Sequence, residues 1–487
     1  MTAPVPERII PRPSERRREV DVRLDPRALK GVRLEDDLVI TPDVPTASAR
    51  TGSDSEQTDP KSGRFVALGW ILALGSAALF GWLGLTGRAD TTLGLLFAPL
   101  FMAIGHGAMR RYVAPRYGDV FVGVMIGGLG ARLIAAVPRL LGGADSPIYQ
   151  REGVRIARSL RVFEFGVDTG RAVPGTGAVR YFSGIVNVAT GSTLIATYLV
   201  FVLLAFIGQV FLLIGLRGAL TTRQFRLLTL LVAFSPTMIF WPSSIGKESL
   251  ALLGIGLGVH GAARLYERNW SGLTTVLLGI FAVGMVRPHI ALVLLVGVLI
   301  GLFARRAHSR GRLATHSLLL IVVLVGAMWV TNASANLFGV ESLDGLADVS
   351  AALDFAQERT SQDTSRFVAA RIESPLDYPF AAVTVLFRPF IWETDSAVAL
   401  ASAIEGAGLA VLVLFAAPGL LGQFRSVLQR GQLLMAVAFS GVFIFVFSAI
   451  GNFGILSRQR SQVVPFILLF IALGLAANRD RSRPVRQ

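Results

Sequence analysis

The chain has 487 residues, is 53% hydrophobic and contains no cysteine. With a mean hydropathy of +0.59, this excludes a soluble globular enzyme, disulfides, thiolate metal sites and a cysteine nucleophile. The formal charge of +15 does not call for nucleic acid, because arginine-rich cytoplasmic loops give a membrane protein the same excess.

Residues 1–64 are rich in Pro, Arg, Asp, Glu and Ser and poor in apolar side chains. They read as a disordered cytoplasmic tail, with no early apolar run that would make a cleavable signal. Residues 65–477 then carry apolar runs long enough to cross a bilayer. They fall near Val66–Leu85, Thr92–Ala108, Val120–Val137, Ser192–Leu216, Leu227–Phe240, Ser249–Arg264, Leu273–Val286, Ile290–Ala304, Leu313–Val330, Val398–Leu421, Leu433–Ile450 and Val464–Ala476. The expected fold is all-α: a polytopic integral membrane protein of about twelve transmembrane helices with helices in the outer interface. Residues 478–487 form a short basic tail.

Arginine counting orients the spans. With the N-terminus inside, the inner loops hold Arg110, Arg111 and Arg116, then Arg217, Arg223 and Arg226, then Arg264 and Arg268, and later Arg425 and Arg430. An even number of spans returns the C-terminus to the cytoplasm, so both termini are expected there and the location is the plasma membrane. Two outer segments are long, at about 138–191 and 331–397. In the first, Ile148, Val154, Ile156 and Leu160 against Arg151, Arg155 and Arg158 suggest an amphipathic interfacial helix. The stretch Ala178–Gly191 is apolar enough to dip back into the membrane, and Asp344 to Arg371 is a candidate helix.

The basic residues that break the inside rule are the informative ones. Lys247, in Pro-Ser-Ser-Ile-Gly-Lys-Glu, is the sole lysine after Lys61. Arg287 lies in Val-Arg-Pro-His, Arg388 in Leu-Phe-Arg-Pro-Phe, and Arg458 and Arg460 in Asn-Phe-Gly-Ile-Leu-Ser-Arg-Gln-Arg. A charge at membrane depth costs about 2.5–3.5 kcal/mol on insertion scales, so each is a functional candidate. A lone arginine in one turn can simply snorkel to headgroups. Four outer turns with cations suggest one electropositive pocket suited to a lipid phosphate or diphosphate. Asp145, Glu248, Glu393 and Glu405 supply acids, and an acid near a desolvated pocket can act as a general base. His289 stands beside Arg287, and no histidine pair has metal-ligand spacing. Gly246-Lys247 is not a P-loop, because Trp241 stands where its first glycine belongs. No metal or cofactor is expected.

Asp145-x-x-x-Tyr149, Phe234-Ser235-Pro236, Trp241-Pro242-Ser243-Ser244 and Lys247-Glu248 resemble motifs of the GT-C glycosyltransferases, polytopic enzymes that use polyprenyl-phosphate-linked sugars. Leu386-Phe387-Arg388-Pro389 with Trp392-Glu393, and Asn452-x-Gly454-x-x-x-Arg458-x-Arg460, look more like bacterial polysaccharide repeat-unit polymerases. The resemblance covers about residues 65–477. It implies transfer from a polyprenyl-linked sugar or oligosaccharide on the outer membrane face, in cell-envelope polysaccharide assembly. It also implies membrane lipids and glycan-assembly proteins as partners and no nucleic acid. Asp145 would be the base, with Glu248 in reserve because the first-loop motif has one acid rather than two. Arg287, Arg388, Arg458 and Arg460 would hold the phosphate, Lys247 and Glu248 would form the central pair, and Tyr149, His289 and Glu393 would line the substrate. A transporter or flippase of the same lipid-linked glycan and a non-catalytic membrane scaffold are the alternatives.

Overall fold

The computed structural model describes residues 60–142, 145–303, 357–358 and 366–481. Among them every regular element is helical. One isolated antiparallel bridge joins Arg366 to Asn452. Five helices are long and apolar enough to cross a membrane, or six if a bent pair is one span. The chain is therefore a membrane-embedded helical protein.

The first helices are α1 (Pro60–Leu85) and α2 (Gly94–Ala108). A π-helical turn, Met109–Val113, follows α2 directly. Next come α3 (Asp119–Gly142), α4 (Ser146–Arg161), α5 (Thr176–Ala189) and α6 (Leu194–Arg217). The helix α4 is amphipathic, as its sequence predicts, and packs on α5. Close approach explains the pairing: a side chain on Gly153 would strike Ser183, and one on Gly184 would strike Ile156.

The span expected at Leu227–Phe240 is broken. It divides into α7 (Thr222–Phe234) and a short α8 (Pro236–Phe240). Pro236 cannot donate to the preceding turn, and Ser235 is extended at φ −63°, ψ 126°. Glu405 takes up the exposed donors: Ser235 Oγ at 2.9 Å, the Thr237 amide at 2.9 Å and Thr237 Oγ1 at 2.6 Å.

Then follow α9 (Lys247–Tyr266), α10 (Ser271–Val286) and α11 (Pro288–Phe303). Glycines set their spacing. A side chain on Gly256 of α9 would enter the Gly208 backbone of α6. On the other side of α9, a Cβ on Gly254 would lie 2.8 Å from the Gly279 carbonyl of α10. Small residues are what bring apolar helices together where water gives no hydrophobic drive.

The last part holds α12 (Tyr378–Phe387), α13 (Ala397–Gly422), α14 (Gly431–Phe447), α15 (Phe453–Arg460) and α16 (Val464–Arg481). The axes of α15 and α16 differ by 58°. Residues 367–372 are non-helical, which removes the end of the helix expected from Asp344 to Arg371. Instead the Phe367 amide bonds the Gly451 carbonyl at 2.9 Å and the Phe367 ring stacks on Phe453 at 4.5 Å. Tail residues 1–59, the Leu313–Val330 span and most of the second long segment lie outside the described residues.

Across about 36 Å at 1.5 Å per residue, α3 has two distinct ends. At its start, Arg116, Arg217, Arg264 and Glu267 surround Tyr117. At its finish, Arg139 meets Ser244 of the loop before α9. The arginines expected in inner loops and those expected outside thus sit at opposite ends of one spanning helix.

Candidate functional site

The sequence Trp241–Gly246 builds the platform of the site. It is buried throughout, so its polar groups need partners. Ser249 Oγ donates to the carbonyls of Pro242 and Ser244, both at 2.7 Å. Ser146 Oγ donates to the Ile245 carbonyl at 3.0 Å and pins the start of α4 there. These serines fix the mouth of α9, where Lys247 and Glu248 occupy the first turn.

Other elements bring charge to the same place. Arg287 is the residue before Pro288, which disfavours the helical region for its neighbour. It lies at φ −148°, ψ 79° in the turn between α10 and α11. There Arg287 Nη2 donates to Glu248 Oε1 at 2.5 Å, with both side chains only 5% exposed. From α15, Arg458 Nε stands 3.7 Å from the same carboxylate oxygen. Its Nη1 donates to Asp145 Oδ2 at 2.8 Å. This last pair is open, with Arg458 37% and Asp145 49% exposed.

Sequence reading missed Arg139. It lies near the end of α3, donates from Nη2 to Ser244 Oγ at 3.1 Å and sits 5.1 Å and 5.2 Å from the ring centres of Phe240 and Trp241. Arg458 lies 5.8 Å from the Trp241 centre. Trp241 therefore holds two guanidinium groups, each partly compensated by its ring. The available signal was an arginine inside an apolar run, which is rare enough to be informative. Arg132 gives the same signal deeper in α3. It is 0% exposed and donates from Nε and Nη2 to Gln209 Oε1 at 3.0 and 2.7 Å.

Arg139, Lys247, Arg287 and Arg458 thus surround Asp145 and Glu248, four cations against two carboxylates. The N-terminal end of α9 adds positive potential. Lys247 is half-buried and makes no ion pair or hydrogen bond with any described residue. The Nε atoms of Arg139 and Arg287 are buried without an acceptor among those residues. Tyr149 is buried beside this cluster on α4; burial, with Asp145 and Glu248 nearby, pushes its phenol up to about 12. His289 lies within electrostatic reach of Arg287 and Lys247, its ring 5.8 Å from Phe447.

The remaining expected cations form a second network. Arg388 pairs with Glu393, its Nε 3.0 and 3.1 Å from the two carboxylate oxygens, and its Nη2 also bonds Oε1. Its guanidinium lies 4.6 Å from the Phe367 ring centre, with Phe390 and Phe453 at 5.6 and 5.7 Å. Arg460 is fully buried and donates to the Arg388 carbonyl, with Glu405 in electrostatic reach. Glu405 itself is occupied with the α7–α8 break. This second network is internally neutralised, and it braces α15. The structure therefore gathers Asp145, Tyr149, Lys247, Glu248, Arg287, His289 and Arg458 into one cluster. It places Arg388, Glu393 and Arg460 beside it in another.

Such a cluster can hold a multivalent anion. Three arginines and a lysine offer several donors, and the two internal acids leave a net charge of +2. No family model matches the chain, and neither a curated protein nor a solved structure matches it.

Proposed function

We propose that this protein transfers a glycosyl group from a polyprenyl-phosphate- or diphosphate-linked donor on the outer face of the plasma membrane, in cell-envelope polysaccharide assembly. In this reading the chain crosses the membrane about twelve times in a GT-C-like arrangement, with both termini in the cytoplasm. The observation that carries it is the convergence of Arg139, Lys247, Arg287 and Arg458 on two carboxylates at one end of the spanning helices. The buried guanidinium nitrogens without acceptors and the uncommitted Lys247 ammonium are donors that phosphate oxygens would satisfy.

The two acids take different parts. Glu248 is buried against Arg287 and orients the cations. Asp145 is half exposed and, among the described residues, its carboxylate is tied to Arg458 alone, so it can meet an acceptor. Asp145 takes the proton of the acceptor hydroxyl as that oxygen attacks the anomeric carbon. The bond from that carbon to the phosphate oxygen breaks, and the departing charge falls among the four cations.

A lipid-linked glycan flippase is the second reading. It draws on the broken α7–α8 pair and the 58° bend between α15 and α16, since discontinuous helices are common at transporter sites. Lipid-linked glycans would be analysed in a deletion strain complemented with Asp145→Asn or Lys247→Ala. Stably made but inactive variants that accumulate a donor lipid on the outer leaflet support transfer. Accumulation confined to the inner leaflet supports the flippase, and full restoration by both variants overturns the site.

A further inference from the structure

A second candidate site lies at the other end of α3, away from the ion-pair cluster. Pro115 has no amide proton for the carbonyl of Arg111, four residues earlier. The chain passes this point by way of the π-helical turn Met109–Val113. Such turns displace side chains from the ordinary helical register and recur at functional places. Here the turn forms one wall of a cavity of about 390 Å³. Ile104 and Met109 come from the α2 side, Phe206, Ile207 and Val210 from α6, and His260 from α9. The volume is within the roughly 300–1,000 Å³ usual for ligand pockets.

Its lining is apolar apart from Tyr112, Arg116, Tyr117 and His260. The wall opens sideways, since Ile104 is 49% and Tyr112 75% exposed. A lateral apolar opening between spanning helices faces acyl chains rather than water. The rim carries Arg116, which is exposed. Arg217 and Arg264 also lie in electrostatic reach of Tyr117, where the opposing acid is Glu267. The largely apolar body would take a hydrocarbon chain, and Arg116 with the neighbouring Arg217 and Arg264 would take an anion joined to it.

We propose that this cavity binds an anionic glycerophospholipid, with one acyl chain between α2 and α6 and its phosphate on Arg116, beside Arg217 and Arg264. Charge complementarity selects this occupant over a zwitterionic lipid, and the apolar walls select it over a free phosphate. The site is separate from the proposed glycosyl-transfer centre and does not depend on it.

The full chain would be purified in mild detergent, titrated with phosphatidylglycerol or phosphatidylcholine and examined by native mass spectrometry. Phosphatidylglycerol adducts should exceed phosphatidylcholine adducts at least fivefold. Joint replacement of Arg116 and Arg264 by glutamine should abolish that preference. Ile207→Trp, which fills the cavity, should lower adducts of both lipids at least fivefold. Should Ile207→Trp fail to fold, Ala108→Trp fills the same cavity from its exposed wall. Equal adducts of the two lipids on the parent protein would overturn the proposal. So would an unchanged phosphatidylglycerol adduct on a folded cavity-filling variant, or a co-purified polyprenyl phosphate that phosphatidylglycerol does not displace.

Discussion

Replacing Arg287 separates the structural from the chemical role of the cluster. In Arg287→Met the hydrocarbon stem is kept while the Glu248 carboxylate loses its 2.5 Å partner. Both side chains are 5% exposed, so little water can compensate. Breaking one side of a buried ion pair costs about 3–5 kcal/mol. Arg458 Nε remains 3.7 Å from the same oxygen, which places the expected loss near 3 kcal/mol. Adding Glu248→Gln removes the stranded charge. The double variant should regain most of that stability, because a neutral pair of similar volume in place of a buried ion pair is often tolerated. Unfolding would be followed in mixed micelles by helical circular dichroism. Lipid-linked glycan analysis should show both variants inactive. A loss under 1 kcal/mol in the single variant, or a double variant no more stable than the single, would refute the buried-pair reasoning. Wild-type glycan from the restabilised double variant would refute the role of the pair in function.

Gln209→Leu should destabilise the chain by about 3 kcal/mol, since the fully buried Arg132 loses its acceptor; an unchanged denaturation midpoint in mixed micelles would contradict this. Gly256→Ala should cost about 1–3 kcal/mol, because the new methyl enters the Gly208 backbone, which cannot rotate aside. Gly107→Ala, where a Cβ meets nothing within 4 Å, is the matched control and should leave the midpoint unchanged. Burial pushes the Glu393 carboxyl up, but hydrogen bonds from Arg388 and the Phe390 amide outweigh it and hold the carboxyl below the usual range. Its stabilising contribution is then present above the unfolded pKa and is lost as pH falls through the lower folded one. Glu393→Gln should loosen the Arg388–Glu393 turn at neutral pH, seen as faster hydrogen exchange at the Phe390 amide, and should flatten the acid limb of stability.

The helical membrane character was legible because apolar runs of span length leave the backbone one economical way to satisfy itself in lipid. The same runs concealed two things. Arg132 lies within the expected span Val120–Val137, and Arg139 lies just past it in the segment expected outside, although the helix continues through both. The α7–α8 break was read as continuous helix, although Ser235-Pro236 was visible, because composition outweighed the missing proline donor. The pairing of Arg388 with Glu393 is local, five residues apart, and is compatible with a neutral turn as well as with a pocket.

By itself the sequence determined the helical, membrane-embedded character, the opposite placement of two arginine sets along α3, and the positions of Arg287 and Arg388 just before prolines, where the backbone leaves the helix. Tertiary structure alone decided which charges meet. Asp145 and Arg458 are 313 residues apart, and Glu248 and Arg287 are joined across a helix pair. Periodicity reports which face of a helix is apolar, whereas charge pairing depends on which turns the packed helices bring to the same depth. That depth is set by close glycine contacts such as Gly208 with Gly256 and by the serine-pinned loop before α9.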